Sequence, residues 1–173
     1  MILFVPAFEG EISFDALPDD AIARIRVRVE EGLFQPGRRA RADYRVISAD
    51  RDAITFAAGG FLTAYAIGLN EVTVRRIGRN QLGYRVTYWR WTLGAVTHGL
   101  LLGIVLALLY AFVPSVRHEA EVQPGGVIAF GVIAGFFCLV WPWLLSAFHR
   151  PFAERALRDI LRQVVTSTPA RAA

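Results

Sequence analysis

His98 is the residue of this chain whose setting most invites chemistry. It stands seven residues into an apolar run, Thr92–Val113, that contains no Asp, Glu, Lys or Arg. A neutral imidazole at such a depth can relay protons or ligate a pigment or haem. A helix–helix hydrogen bond, or a ring reaching toward headgroups, uses the same side chain more simply and is the stronger expectation. The other histidines, His118 and His149, lie far from it in sequence. The one cysteine, Cys138, sits in a second apolar run, where it can form no intrachain disulfide and, alone, no metal site. It reads as a small packing residue. No phosphate-binding loop, dinucleotide fingerprint, His-Glu-x-x-His or Cys-x-x-Cys occurs. The expectation is therefore a protein that is not an enzyme, with no catalytic residues, no cofactor and no metal.

Two further patterns concern contact. Gly99–Gly103 and Gly131–Gly135 each place small residues four apart, a spacing that lets helices approach closely in lipid. In an antiparallel pair of spans the first motif falls near the midplane and the second toward the outer side. Packing within the chain is the simpler use of both, and contact of one or both with another protein is the alternative. The Arg38, Arg39, Arg41 cluster fits a solvated loop or lipid headgroups better than nucleic acid. Tyr84, Tyr88 and Trp89 could stack on a base, but an interfacial role explains them more simply.

The elements that hold these residues follow from the charge pattern. Hydrophobic residues make up 54% of the chain, more than a soluble domain usually carries, and the excess lies in Thr92–Val113 and Val127–Phe148. Each run is about 22 residues long, roughly 33 Å as a helix, which suffices to cross the hydrocarbon core. Trp89, Arg90 and Trp91 mark one end of the first run; Trp141, Trp143 and Arg150 mark the matching end of the second. Aromatic and Arg residues so placed form an interfacial belt. Pro142, between two tryptophans, is expected to kink the second span. Met1–Phe8 is too short and lacks the preceding basic residue of a signal peptide. All 19 basic residues are Arg, and nearly all lie before the first run or after the second, while the connection Pro114–Gly126 holds one Arg and two Glu. The positive-inside rule then predicts two spans in a bacterial cytoplasmic membrane, both termini cytoplasmic and Pro114–Gly126 an external loop. Two spans alone cannot enclose a pore.

Residues 1–91 read as a cytoplasmic α+β domain. Phe8, Gly10, Ile12 and Phe14 alternate as a strand does. Pro18-Asp19-Asp20 opens a helix carrying Ile22, Ile25, Val29 and Leu33, closed by Glu30-Glu31-Gly32, although Ile25–Val29 also alternates. After a turn at Gln35-Pro36-Gly37, Tyr44–Ser48 and Ala53–Ala57 form one hairpin, Glu71–Ile77 and Gln81–Trp91 another, with the apolar stretch Phe61–Leu69 between them. Beyond Arg150-Pro151, which is expected to separate it from the span, Phe152–Val165 is an amphipathic helix. Its stripe of Phe152, Ala156, Leu157, Ile160, Leu161, Val164 and Val165 needs burial. Docking on the domain is favoured over lying on the lipid, because one helix leaves the sheet short of cover. Thr166–Ala173 reads as a frayed tail.

This plan, an N-terminal α+β domain whose hairpin Glu71–Trp91 runs into two spans, resembles that of small bacterial membrane proteins of unknown function. The resemblance implies the domain order and no activity. The function expected is a non-catalytic accessory or assembly subunit, with the lipid bilayer and another membrane protein or complex as partners. A membrane-anchored module sensing a small ligand or lipid is the alternative.

Overall fold

The computed structural model describes residues 6–32, 34, 43–60 and 69–166. The Arg38, Arg39, Arg41 cluster, the Gln35-Pro36-Gly37 turn, Leu33, the stretch 61–68 and the tail after Thr166 lie outside these residues. The chain forms two compact units, Met1–Trp91 with Arg150–Ala173, and Thr92–His149.

The first unit is α+β. Strand β1 (Ala7–Ser13) precedes helix α1 (Ala21–Glu30), which is followed by β2 (Tyr44–Ala49), β3 (Ala53–Ala58), β4 (Glu71–Gly78) and β5 (Gln81–Thr87). The five strands make one antiparallel sheet in the order β1-β5-β4-β3-β2. Both expected hairpins form, and the helical reading of residues 21–30 prevails over the alternating one. Ala21, Ile22, Ile25 and Val29 are buried along one stripe, and Gly32, at φ 71°, takes the left-handed conformation that ends the helix. Period-2 alternation sends Phe8 and Ile12 of β1, Ile54 and Phe56 of β3, Val72 and Val74 of β4, and Leu82, Tyr84 and Val86 of β5 to one face, all buried.

Helix α1 does not cover that face alone. Ala153, Leu157, Ile160, Leu161, Val164 and Val165 belong to the same buried cluster, so the C-terminal amphipathic helix docks on the domain as its stripe suggested. Arg24 of α1 donates to the carbonyl of Val165 at 3.3 Å, joining the two helices side by side. Two residues of the predicted stripe depart from it: Phe152 is 67% exposed, with Ala153 in the inward position instead, and Ala156 is only half-buried. Tyr84 ties the helix to β5. Its hydroxyl accepts from Arg158 Nε at 2.8 Å and donates to Glu154 Oε1 at 3.1 Å, while Arg158 bonds the same carboxylate at 2.7 Å. The Tyr84 ring occupies the space where a side chain on Gly10, directly across on β1, would stand.

The second helix, α2 (Trp89–Phe112), begins immediately after β5, so Trp89–Trp91 are helical and not the end of a strand. Its start is fixed to the sheet. Buried Asn70 accepts the Arg90 backbone N–H through Oδ1 at 3.0 Å, and Arg90 Nη1 donates to the Ala58 carbonyl at 3.3 Å. An amide oxygen thereby satisfies one of the unpaired N–H groups of the helix N-terminus.

In the second unit the connection at 114–126 is not a plain loop, contrary to the sequence reading. It contains helix α3 (Pro114–Val122), with Pro114 in the first turn, where no N–H is needed. Arg117 and Glu121 pair at 3.0 Å one turn apart, and Gln123 donates to Glu119 at 2.6 Å. Gly125, at φ 78°, turns the chain into α4 (Gly126–Gly135). A π-helical segment, Phe136–Val140, and α5 (Trp141–Thr166) complete a helical stretch of 41 residues. This stretch and the 24-residue α2 are long and apolar enough to cross a membrane.

One expectation about proline is corrected here. Pro151 does not break the helix, which continues from Trp141 to Thr166. Around Pro142 the irregularity is a π turn: the Trp141 N–H bonds the Phe136 carbonyl, five residues back. A proline lacks the N–H for the normal ladder, and a widened turn just before it relieves the ring's crowding.

Candidate functional site

The buried positions of α2 are Ala95, Gly99 and Gly103, one residue every four along a single face. A Cβ on Gly99 would come within 2.5 Å of the Phe137 carbonyl oxygen and 2.8 Å of Pro142 Cγ. One on Gly103 would collide with Cys138 Sγ and approach the Ala134 carbonyl at 3.4 Å. Gly99–Gly103 thus packs within the chain, against Ala134, Cys138 and Pro142. Cys138 is partly buried in that seam, as a packing residue would be. Gly131 and Gly135 play no part in it. Among the described residues nothing lies within 4 Å of a Cβ on either, so the second motif stays on the outside of the hairpin.

His98 is exposed on α2, one position before the seam. Among the described residues no side chain bonds its imidazole, and it is not gathered with His118 or His149. Of the belt residues, Trp89 and Trp143 are about half exposed, Trp91 and Trp141 partly buried, and Arg150 exposed. Arg90 lies over the Trp89 ring at 5.5 Å, a cation–π contact. Trp141 packs on the rings of Phe136 and Phe137. At the other end of the hairpin, Tyr110 stacks on Phe130 at 5.3 Å, and its hydroxyl reaches Glu121 of α3 at 3.5 Å.

The domain offers a different surface. Both its helices lie on one face of the sheet, so no described residue of this unit covers the other face. Sequence reasoning expected the C-terminal helix to supply missing cover, and it does so on the face α1 already occupies. The open face has a low centre of Ala53, Thr55, Ala57, Thr73 and Gly83, with charged residues around it. Thr55 and Thr73 share a hydrogen bond of 3.1 Å across β3 and β4. A depression of about 520 Å³ opens over Gly83, walled by Glu9, Glu11, Thr73, Arg75, Ile77 and Arg85. Glu9 and Arg85, directly opposite each other on β1 and β5, pair at 3.1 Å.

Ionisation in the domain is shaped by burial more than by charge clusters. Burial raises the phenols of Tyr44, Tyr84 and Tyr88; for Tyr84 the Arg158 hydrogen bond opposes the shift. Tyr44 packs edge-on against Phe34 and Phe56, and its buried hydroxyl has no hydrogen-bond partner among the described residues. Arg24, hydrogen-bonded to Asp20 at 2.9 Å, holds that carboxyl below its usual value. No group of three or more His, Cys, Asp or Glu able to hold a metal ion occurs among the described residues.

The depression is the feature sequence reasoning missed. Its only trace in the sequence is Gly83, a glycine inside a strand at an outward-facing position, between Leu82 and Tyr84 that face the core. Comparison with protein-family models, with curated proteins and with solved structures gives no match.

Proposed function

We propose that this protein is a non-catalytic accessory or assembly subunit of the bacterial cytoplasmic membrane. Its two apolar helices span the bilayer, both termini lie in the cytoplasm, and it docks on a larger membrane complex. The observation that carries this reading is the division of labour between the two glycine motifs. Gly99–Gly103 is consumed in closing the hairpin, whereas Gly131–Gly135 leaves a smooth strip on its outside. Small residues on an outer helix face let a second helix approach closely in lipid, where packing and not the hydrophobic effect drives association. The Arg-rich segments flanking the spans support the orientation.

Gentle detergent extraction followed by native mass measurement tests the proposal. The protein is expected in a complex heavier than itself, and Gly131→Leu with Gly135→Leu is expected to release it from that complex while the hairpin stays folded. A monomer from the wild-type chain, or a complex indifferent to both substitutions, counts against it.

A second reading, a membrane-anchored module sensing a small ligand or lipid, is favoured by the depression over Gly83. Its volume is within the range of small-molecule sites.

A further inference from the structure

We propose that the depression over Gly83 binds a small zwitterion, with a primary ammonium on Glu11 and an anionic group on Arg75. The proposal rests on the ligand-sensing reading and is independent of the assembly one.

The charges of the open face stand in cross-strand rows. In one row Glu9 and Arg85 stand on adjacent strands and neutralise each other at 3.1 Å. In the next row Glu11 on β1 and Arg75 on β4 both have Gly83 of β5 as their partner, so a glycine stands between the two charges. Two strand spacings, roughly 10 Å, separate their backbones. Neither Glu11 nor Arg75 forms an ion pair among the described residues, although each has a long enough side chain to lean inward. Gly83 puts only backbone at the floor between them, and the Ile77 side chain and the Arg75 stem, whose Cγ lies 3.8 Å from where a Cβ would be, close in over it. Ile77 lies against that glycine, its Cγ2 3.1 Å from where a Cβ would be, and gives the floor an aliphatic patch.

A carboxylate and a guanidinium facing each other across a gap select for a dipolar guest. A singly charged ion would satisfy one wall and leave the other's charge unanswered; a zwitterion answers both. Guanidinium suits a carboxylate or phosphate because its paired N–H groups match two oxygens. The walls are partly solvated, so each ion pair contributes little and the affinity is weak, in the millimolar to sub-millimolar class. A free α-amino acid and the ethanolamine-phosphate headgroup of a lipid share this chemistry.

The test uses the full chain in nanodiscs of phosphatidylglycerol, which carries no ammonium, and follows amide chemical shifts of β1, β4 and β5. Leucine and O-phosphoethanolamine are the two zwitterionic probes; N-acetylleucine and leucine methyl ester are the singly charged controls. One zwitterion is expected to bind saturably, and the controls about two- to fivefold more weakly or not at all. Leucine alone identifies a free amino acid as the guest; phosphoethanolamine alone identifies the headgroup. Glu11→Gln and Arg75→Gln are each expected to weaken binding about two- to fivefold, as single exposed charges lost from the site. Gly83→Val should abolish it by filling the floor, and Glu71→Gln on the same face should leave it unchanged. Because Gly83→Val could disturb the sheet, the two charge variants decide. Equal binding of N-acetylleucine and leucine, indifference to both charge variants, or no saturable shift with either zwitterion overturns the proposal. If native mass measurement then shows some other small molecule retained by the protein, the zwitterion is overturned and the ligand-sensing reading survives.

Discussion

Leu157→Ala probes the docking of the C-terminal helix most cleanly. Leu157 has no exposed surface and lies in the same buried cluster as Leu82, Tyr84 and Val86. Truncation to alanine removes about three methylene equivalents, worth roughly 2.4 kcal/mol in transfer alone at about 0.8 kcal/mol each. The cavity left behind adds to this, and a total near 3 kcal/mol falls inside the range of about 2–5 kcal/mol for buried leucines. Alanine is the best helix former, so the helix itself does not suffer. The loss therefore falls on the packing between helix and sheet. Hydrogen exchange of the full chain in nanodiscs reads it directly. Amides of β4 and β5 that exchange only by opening of the domain should do so roughly a hundredfold faster, about 3 kcal/mol at 1.4 kcal/mol per decade. Unchanged protection in Glu71–Thr87, with faster exchange confined to residues 152–166, would refute the docking. It would mean that the helix lies on lipid and that its stripe is buried there.

Four other outcomes can be checked. Tyr44→Phe removes a buried hydroxyl that has no partner among the described residues, so thermal unfolding should show a domain as stable as wild type or more stable; a loss above about 1 kcal/mol contradicts this. The pH dependence has a definite sign. Burial raises the phenols of Tyr44, Tyr84 and Tyr88 above their unfolded value near 10, so their contribution is complete below about pH 10 and is lost as pH rises through the folded values. Alkaline unfolding should accordingly shift upward in Tyr44→Phe, and an unshifted midpoint would exclude Tyr44 as a source. Gly99→Ala should destabilise the hairpin by about 1–3 kcal/mol, because its Cβ meets backbone and a proline ring, while Gly131→Ala should stay within about 0.5 kcal/mol; equal effects in detergent unfolding would refute the seam. Finally, a cysteine at Ser115, in a background with Cys138 replaced, should react with an impermeant thiol reagent on intact cells; reaction only after lysis reverses the orientation.

The sequence alone determined the elements whose signals are local. Two charge-free runs can be little other than long apolar helices, because length and the absence of charge are properties of the segment itself. Strand alternation and turn residues placed β1 and both hairpins, and the spacing of Ile22, Ile25 and Val29 outweighed the competing alternation in α1. The stripe on residues 152–165 announced that something must bury it. Tertiary structure decided what touches what. Gly99–Gly103 and Gly131–Gly135 are the same motif in sequence, and only the rotation of each helix about its axis makes one a seam and the other an outer strip. The C-terminal helix joined α1 on one face of the sheet because the inward residues of all the strands form a single apolar surface wide enough for two helices. Among the described residues of the first unit, none covers the opposite face. That choice put Glu11 and Arg75, distant in the chain and unremarkable in composition, into one row with Gly83 between them. Such a juxtaposition depends on strand order and register across three strands, which no local pattern encodes.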